Sequence, residues 1–272
     1  MQFQRSIMKP ILDIALLTAG SVDLFSKCVD AVLKEMRPEY KIYVCNNGSP
    51  SPEYEKIYRR LPDDSVIKRN NRREGFGVGA NMAINAGNAP LVLFITDDVF
   101  IHSGTVSKLL ETMKDPSIGL CGLKLLFPED STDPTRPAGK VQHIGMASNI
   151  MGNMVHPLIG WSPDNPKCCV SREVLACTGA SFIVRRSSFK RARGFDPIYG
   201  AGYFEDIDLC LKLHSINPVG QGGRIYVNTD ATATHCVGGT FKNEKESPIQ
   251  QNSLIFKSRW MRFIPYSEWL FW

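Results

Sequence analysis

Leu91-Val92-Leu93-Phe94-Ile95-Thr96-Asp97-Asp98-Val99 runs five consecutive large hydrophobic residues almost directly into two adjacent carboxylates. A run of this β-branched and aromatic character, preceded by Ala89-Pro90, predicts a strand buried on both faces in the middle of a mostly parallel sheet. Stability does not call for paired acids at such a strand end. They repel each other and lose solvation, which is expensive unless something positive sits beside them. A divalent cation is the usual remedy, and in open α/β sheets ligands bind at the carboxyl ends of the strands. The bland alternative is a solvated turn or a cap for the next helix, which Ser103-Gly104-Thr105 announces. The rest of the chain has to decide between the two.

Upstream, the same unit recurs. A strand Ile11 to Leu17 runs into Thr18-Ala19-Gly20-Ser21 and an amphipathic segment from Val22 to Met36 that Arg37-Pro38 stops. A strand Lys41 to Cys45 ends in Asn46-Asn47-Gly48-Ser49-Pro50, a dense turn signal offering amide side chains, before a helix from Pro52 to Leu61. A strand Ser65 to Lys68 leads through Arg69-Asn70-Asn71-Arg72-Arg73-Glu74 to a glycine loop, Gly75-Phe76-Gly77-Val78-Gly79-Ala80-Asn81, and a helix Ala80 to Gly87. This alternation implies one α/β domain, a Rossmann-like, mostly parallel central sheet flanked by helices. Gly75, Gly77 and Ala80 fit a dinucleotide fingerprint. That fingerprint needs a strand running straight into its first glycine, however, and here six polar residues intervene in the third βα unit. A basic loop opening a helix can equally receive a diphosphate through backbone N–H groups.

The bulk numbers suit a globular enzyme. The 272 residues are 43% hydrophobic and 22% charged, with a net charge of +5. No segment reaches the roughly 18 uncharged apolar residues of a membrane span. Asp13, inside the first apolar run, argues for a core strand over a signal peptide. The basic cluster Arg185-Arg186 and Lys190-Arg191-Ala192-Arg193 reads as a solvated helix face, too modest for nucleic acid. The eight cysteines show no C-x-x-C spacing. Cys28, Cys45, Cys121, Cys177 and Cys210, within apolar patterns, read as buried free thiols of a reducing, cytoplasmic compartment, with the adjacent Cys168-Cys169 in a polar loop the exception.

Downstream, a helix from about Gly104 to Met113 and a strand Ile118 to Leu126 are followed by two proline-rich stretches, 127–140 and 156–167, that read as covers over a substrate face. Trp161 in the second offers a sugar-stacking platform, or simply packs the loop down. A strand Val174 to Val184 carries Gly179 where the backbone must approach something closely. Gly200 and Gly202 then precede Glu205-Asp206-Ile207-Asp208, whose acids sit at a helix start and exceed what capping needs. The last strand places Ala231, Ala233 and His235 on one face, ahead of Gly238-Gly239, which makes His235 a ligand candidate. The aromatic run Trp260 to Trp272 reads as a packing or subunit-contact segment, with a peripheral membrane surface as the other option.

Together these pieces resemble the inverting GT-A glycosyltransferases of family 2, the group that includes rhamnosyl- and galactosyltransferases. The likeness covers residues 11 to 240. Asn46-Asn47-Gly48-Ser49 resembles the family's D-N-G-S nucleoside loop, and Gly75-Phe76-Gly77 through Asn81 its G-F-x-x-x-x-N helix start. Thr96-Asp97-Asp98 resembles its D-x-D, Gly179-Ala180 the glycine of its acceptor-side strand, Gly194-Phe195-Asp196 its G-F-D turn, and Glu205 through Leu209 its E-D-x-D-L. The resemblance implies a single GT-A domain over 1–240, its nucleotide-sugar half at 11–126 and acceptor half at 127–240, with 241–272 an aromatic extension. It implies Asp206 as catalytic base, and Asp98 with His235 as ligands of Mn2+ or Mg2+. Thr18, Ala19, Asn46, Arg72, Asn81, Asp97 and Gly179 would hold the nucleotide sugar, and Glu205 and Trp161 would face the acceptor. Three positions depart from the pattern: Asn46 stands for the usual Asp, Thr96 for the first acid of D-x-D, and Ala80 for a basic residue, which passes the phosphate charge to Arg72 or Arg73.

The implied reaction moves a sugar from a nucleotide-diphosphate donor to a hydroxyl of a glycan or other acceptor, with no role for nucleic acid and with a homodimer through the aromatic C-terminus as an option. A non-catalytic sugar-nucleotide- or glycan-binding protein is the alternative that Asn46 and Thr96 invite. A two-carboxylate glycoside hydrolase is the other, though it would need neither metal nor nucleoside loop.

Overall fold

In the computed structural model, residues 9–149, 153–216, 220–236 and 248–264 are described. The strands are β1 (Leu12–Thr18), β2 (Tyr40–Asn46), β3 (Val66–Arg69), β4 (Leu91–Thr96), β5 (Val99–Ile101), β6 (Ile118–Leu126), β7 (Val141–His143), β8 (Ala147–Ser148), β9 (Met154–Val155), β10 (Arg172–Glu173), β11 (Ser181–Arg185) and β12 (Arg224–His235). The helices are α1 (Val22–Leu33), α2 (Tyr54–Tyr58), α3 (Phe76–Asn85), α4 (Thr105–Thr112), α5 (Arg186–Arg191), α6 (Glu205–Ile216) and α7 (Ile249–Trp260). The main sheet runs β10-β12-β6-β11-β4-β1-β2-β3. Of its longer strands, β3, β2, β1, β4, β6 and β12 point one way and β11 alone the other.

Strand β4 behaves as its apolar run predicts. Leu93 and Ile95 pack into one core with Phe25 and Val29 of α1 and Leu109 of α4, while Val92 and Phe94 pack into a second core with Ala83 of α3, Phe189 of α5 and Phe195. Both faces are covered, so alternation between apolar and polar residues has no place along it. Its register pairs Leu17 with Thr96, and that of β1 with β2 pairs Thr18 with Asn46. The carboxyl ends of three strands therefore form one edge.

Two segments differ from the sequence reading. Helix α3 starts at Phe76, four residues ahead of Ala80, and takes two glycines into its first turns because they pack too closely for a side chain. A Cβ on Gly79 would come within 3.0 Å of Leu17 and Asn47 side-chain atoms, and one on Gly77 would come within 3.0 Å of Phe195 Cβ. The segment expected as one strand from Val174 to Val184 is a strand only over β11. Ahead of β11, the N–H groups of Thr178 and Gly179 are drawn to side chains, His143 and Asp206, instead of to a neighbouring strand.

The basic cluster also divides. Arg186, read as part of a solvated face, is buried. Its guanidinium donates to Asp13 Oδ2 at 2.5 Å and to the carbonyls of Ala89 and Ile84 at 2.6 and 2.5 Å. Asp13 lies in β1 and also accepts the Ala89 N–H at 2.8 Å. Burial raises the Asp13 pKa, against the opposing pull of that N–H and of Arg186.

Among the described residues, no helix is long and apolar enough to cross a membrane. Helix α7 packs against the body, with Phe256 buried and the Trp260 indole donating to Asp208 Oδ1 at 2.8 Å. Gly238-Gly239 and the rest of the aromatic run, residues 265–272, lie outside the described residues.

Removing one partner of a buried ion pair leaves a charge without compensation, so Arg186→Met should lower unfolding free energy by about 3–5 kcal/mol. Urea titration of the variant checks this, and a loss under about 1 kcal/mol would mean that Asp13 is neutral or solvated in the fold.

Candidate active site

One cavity of about 850 Å³ opens over the carboxyl edge of β1, β2 and β4. Its size lies within the range of small-ligand sites. Ala19, Asn47, Arg73, Glu74 and Phe76 line one end, Asp97, Asp98 and His235 the floor, and Gly179, Glu205 and Asp206 the far wall.

The two acids of the opening stretch occupy different surroundings. Asp97 turns back under β1, where its Oδ2 accepts from Thr18 Oγ1 at 2.7 Å and from the Ala19 N–H at 3.1 Å. Burial, and then the charge of Asp98, push its pKa up to about 7. Asp98 turns the other way. Thr96 Oγ1 donates to its Oδ1 at 2.6 Å, and His235 Nε2 lies 3.4 Å from its Oδ2. Burial works to raise Asp98, but His235 and the Thr96 hydroxyl outweigh it and the carboxyl titrates below its usual range. Thr96, the departure from D-x-D, is thus a donor to the last acid of the motif.

His235 is oriented by Gln142 on β7. The Gln142 amide nitrogen lies 3.4 Å from the His235 carbonyl, which turns Oε1 toward His235 Nδ1 at 2.6 Å. An Nδ1–H held this way leaves Nε2 as the ring atom that faces Asp98. A carboxylate and an imidazole lone pair facing each other need a proton or a cation between them. Among the described residues no group of three or more His, Cys, Asp or Glu side chains is placed to hold a metal ion. Two protein ligands suffice for a cation that takes its remaining oxygens from substrate phosphates and water, which is the common arrangement for Mg2+.

The opposite wall is built by α6 and the turn before it. Gly179 N–H donates to Asp206 Oδ2 at 2.9 Å and Ile207 N–H to its Oδ1 at 2.8 Å. Burial raises Asp206, against these two donors. Glu205 is held well above its ordinary range by burial and then by the neighbouring charge of Asp206, and its Oε2 has no hydrogen-bond partner. Asp208 belongs to a different site. Fully buried on the other side of α6, it meets Tyr199 OH, Trp260 Nε1 and Arg259 through Oδ1 and Lys212 through Oδ2. The helix start therefore carries two acids into the cavity and uses the third to hold α7.

The turn itself is strained. Gly200 and Gly202 have φ of 57° and 144°, and Tyr203 and Phe204, both with side chains, have φ of 73°. Asn252 of α7 restrains it, its amide reaching the carbonyls of Tyr199, Gly202 and Tyr203 at 2.8, 2.6 and 3.2 Å. Left-handed bulky residues persist only where surroundings over-determine them.

Several expected contacts fall elsewhere. The Asn46 side chain closes its own turn, accepting from Ser49 N–H at 2.8 Å and donating to Ser49 O and Tyr58 OH, while Asn47 lines the cavity. Asn81 is spent on both backbone groups of Phe195 at 2.9 Å. Arg72 points to solvent and pairs with Glu74 at 2.9 Å, leaving Arg73 on the cavity wall. Trp161 is half-exposed and does not line the cavity, although its carbonyl anchors Val141. Thr18 reaches the site through Asp97. Gln142, His143, His156 and Asn252 were not legible as site residues: no motif marks them, and their partners are distant in sequence.

Comparison with known proteins gives a consistent set of likenesses. The model of the family described as Glycosyl transferase family 2 matches residues 18–192. The O-antigen biosynthesis protein RfbC of Myxococcus xanthus is 24% identical over 258 residues, an overlap of 91% of this chain but 18% of that protein. The chain thus spans under a fifth of that relative's length. Among solved structures, GalNAc-T7 with UDP, GalNAc and Mn2+ superposes with a TM-score of 0.71 at 15% identity, covering 92% of this chain and 49% of that one. The mannosyltransferase PcManGT from Pyrobaculum calidifontis, in complex with GDP-Man and Mn2+, gives 0.57 at 13% identity, covering 86% and 59%. These structures share the GT-A fold with the chain.

The start of α3 abuts the strained turn. Phe76 N–H donates to Gly200 O at 3.0 Å, and a Cβ on Gly75 would lie 2.3 Å from that same oxygen. Both are backbone, so Gly75→Ala must move the turn. The variant should lose about 1–3 kcal/mol in urea unfolding, and an unchanged midpoint would show that the turn yields freely.

Proposed function

Because the chain belongs to glycosyl transferase family 2, we propose that it transfers a sugar from a nucleotide-diphosphate sugar to a hydroxyl of a glycan acceptor, inverting the anomeric carbon with the help of Mn2+ or Mg2+. The observation that carries this reading is the division of one cavity into two differently prepared carboxylate walls. Asp98 faces His235 Nε2 on the floor, and Asp206 stands on the far wall with its pKa raised. The name of the Myxococcus relative supports a glycan as acceptor.

In this reading the nucleoside end of the donor lies along Ala19, Asn47 and Arg73, with Asp97 held toward it by Thr18. Asp98 and His235 would hold the cation, with Gln142 fixing the His235 imidazole through Nδ1. The cation, when bound, neutralises the charge that develops on the departing diphosphate. Asp206 accepts the proton of the attacking acceptor hydroxyl as that oxygen bonds to the anomeric carbon. The bond to the diphosphate oxygen breaks in the same displacement, and its electron pair leaves with the diphosphate. A carboxyl raised toward the working pH is better suited to this than an ordinary one. Glu205, raised well above its ordinary range by burial and by the charge of Asp206, stands beside it on the same wall and faces the acceptor.

Transfer is tested by incubating the protein with UDP-, GDP- and dTDP-sugars and glycan acceptors and following nucleoside diphosphate release and product linkage. Asp206→Asn should lower the rate by about 10²–10⁴-fold while donor binding persists, and Asp98→Ala should remove both metal dependence and turnover. Transfer at the normal rate by both variants would overturn the mechanism, and metal-independent release of sugar from an unactivated glycoside would point to a hydrolase.

Gln142→Leu keeps the volume of the side chain and removes the acceptor of the His235 N–H. It should weaken Mn2+ binding by about 10–100-fold, read by titrating activity against free metal. An unchanged midpoint would separate His235 from the metal.

A further inference from the structure

Against the acceptor end of the cavity lies a pair of histidines to which the transfer reading gives no role. His143, buried on β7, and His156, half-buried just after β9, approach each other with their Nδ1 atoms 3.0 Å apart. Both line the cavity.

The proton positions in this pair follow from the backbone. Gly145 N–H and Thr178 N–H both point at His143 Nε2, at 3.2 and 3.3 Å. A nitrogen that receives two N–H groups carries no proton of its own, so neutral His143 keeps its proton on Nδ1. That proton is donated to His156 Nδ1, which is bare in turn, and the proton of His156 is therefore on Nε2. A second proton on either ring would set N–H against N–H. Burial opposes it as well, holding both rings below the ordinary histidine range. A cation shared between the two Nδ1 atoms would require His143 to lose its last proton, so the pair is a hydrogen bond and not a metal site.

We propose that the Nε2–H of His156 is the donor that reads an oxygen of the acceptor sugar, its tautomer set by His143. The inference rests on the transfer reading of the same cavity. Two observations place this donor on the acceptor side. Thr178, which fixes His143, is followed by Gly179, which donates to Asp206 Oδ2 at 2.9 Å, so a single turn aligns the histidine pair and the carboxylate. Met146, Met154 and Ile159 line the same cavity and give it apolar surface. An N–H beside apolar surface discriminates strongly, because a ligand that covers it without offering an oxygen leaves a desolvated donor unmet. The ligand that fits is a pyranoside turning an apolar ring face to the methionines and a hydroxyl or ring oxygen to His156.

The test uses methyl glycosides of glucose, galactose, N-acetylglucosamine and rhamnose as acceptor probes, with whichever nucleotide sugar the wild-type protein turns over. His156→Phe keeps a flat ring and removes the donor. It should lower kcat/KM for the acceptor by roughly 10–100-fold through KM, with the donor KM changed less than about twofold, and His156→Gln, which retains an N–H, should recover part of the loss. Nitrogen-15 NMR of the imidazoles in the wild-type protein should find His143 protonated at Nδ1 and His156 at Nε2. Absence of sugar transfer by the wild-type protein would overturn the transfer reading and the inference with it. Wild-type transfer combined with an unchanged acceptor KM in His156→Phe, or with an Nδ1–H tautomer at His156, would overturn the inference alone.

Discussion

The hydrogen bond from Thr96 N–H to Ala180 O, 3.0 Å long, joins the two halves of the site. It exists because β11 enters the sheet against the direction of β4. In a wholly parallel sheet, the segment leading into a strand lies at the opposite edge from the carboxyl ends of its neighbours. Reversal of β11 brings its leading segment, Thr178 to Ala180, to the edge where β4 ends. Thr96 continues the connection through its hydroxyl to Asp98, and Gly179 through its N–H to Asp206. Strand polarity thus converts two remote acids into opposite walls of one cavity.

What distinguishes the cavity acids from the structural ones is how their charge is met. Asp13 lies against Arg186, and Asp208 against Lys212 and Arg259, so each has a full positive charge supplied by the protein. Asp97, Asp98 and Asp206 are met by hydroxyls, backbone N–H groups and one imidazole, and Glu205 Oε2 has no hydrogen-bond partner among the described residues. Burial raises Asp97, Glu205 and Asp206, as it raises Asp13, but no described Lys or Arg stands against it in the cavity as Arg186 does at Asp13. A site completed from outside, by a cation on one wall and a proton on the other, fits acids left in this condition.

The sequence made some of this legible and hid the rest for identifiable reasons. The uninterrupted apolar run of β4 announced burial on both faces, and the acids at its end had no structural purpose to explain them. Glu205, Asp206 and Asp208 looked alike at a helix start, but helical rotation turns the third away from the first two, toward partners more than forty residues later in α7. Asn46 and Asn81 resembled ligands because amides bind both sugars and backbone, and here neighbouring turns took them, whereas Trp161 lies exposed and anchors its loop through its carbonyl. Arg186 looked like surface because its partner, Asp13, is 173 residues away. Gln142 and His143 were invisible for the same reason: a buried polar side chain is recognised by what it touches, and their partners His235 and Thr178 are 93 and 35 residues distant.

The strained turn ahead of α6 shows how much of the site depends on the end of the chain. Two side-chain-bearing residues with positive φ, Tyr203 and Phe204, cost on the order of 1–3 kcal/mol each. Such a cost is sustained only where other contacts leave the backbone no cheaper conformation. Asn252, buried and bonded to three carbonyls of the turn, is one such contact, and the Trp260–Asp208 hydrogen bond that docks the same helix is another. Both belong to α7, well beyond residue 192, where the family match ends. The family match therefore includes Asp98 and the Gly179 that holds Asp206, whereas the turn that leads into Glu205 and Asp206 is restrained by a helix that the match does not reach.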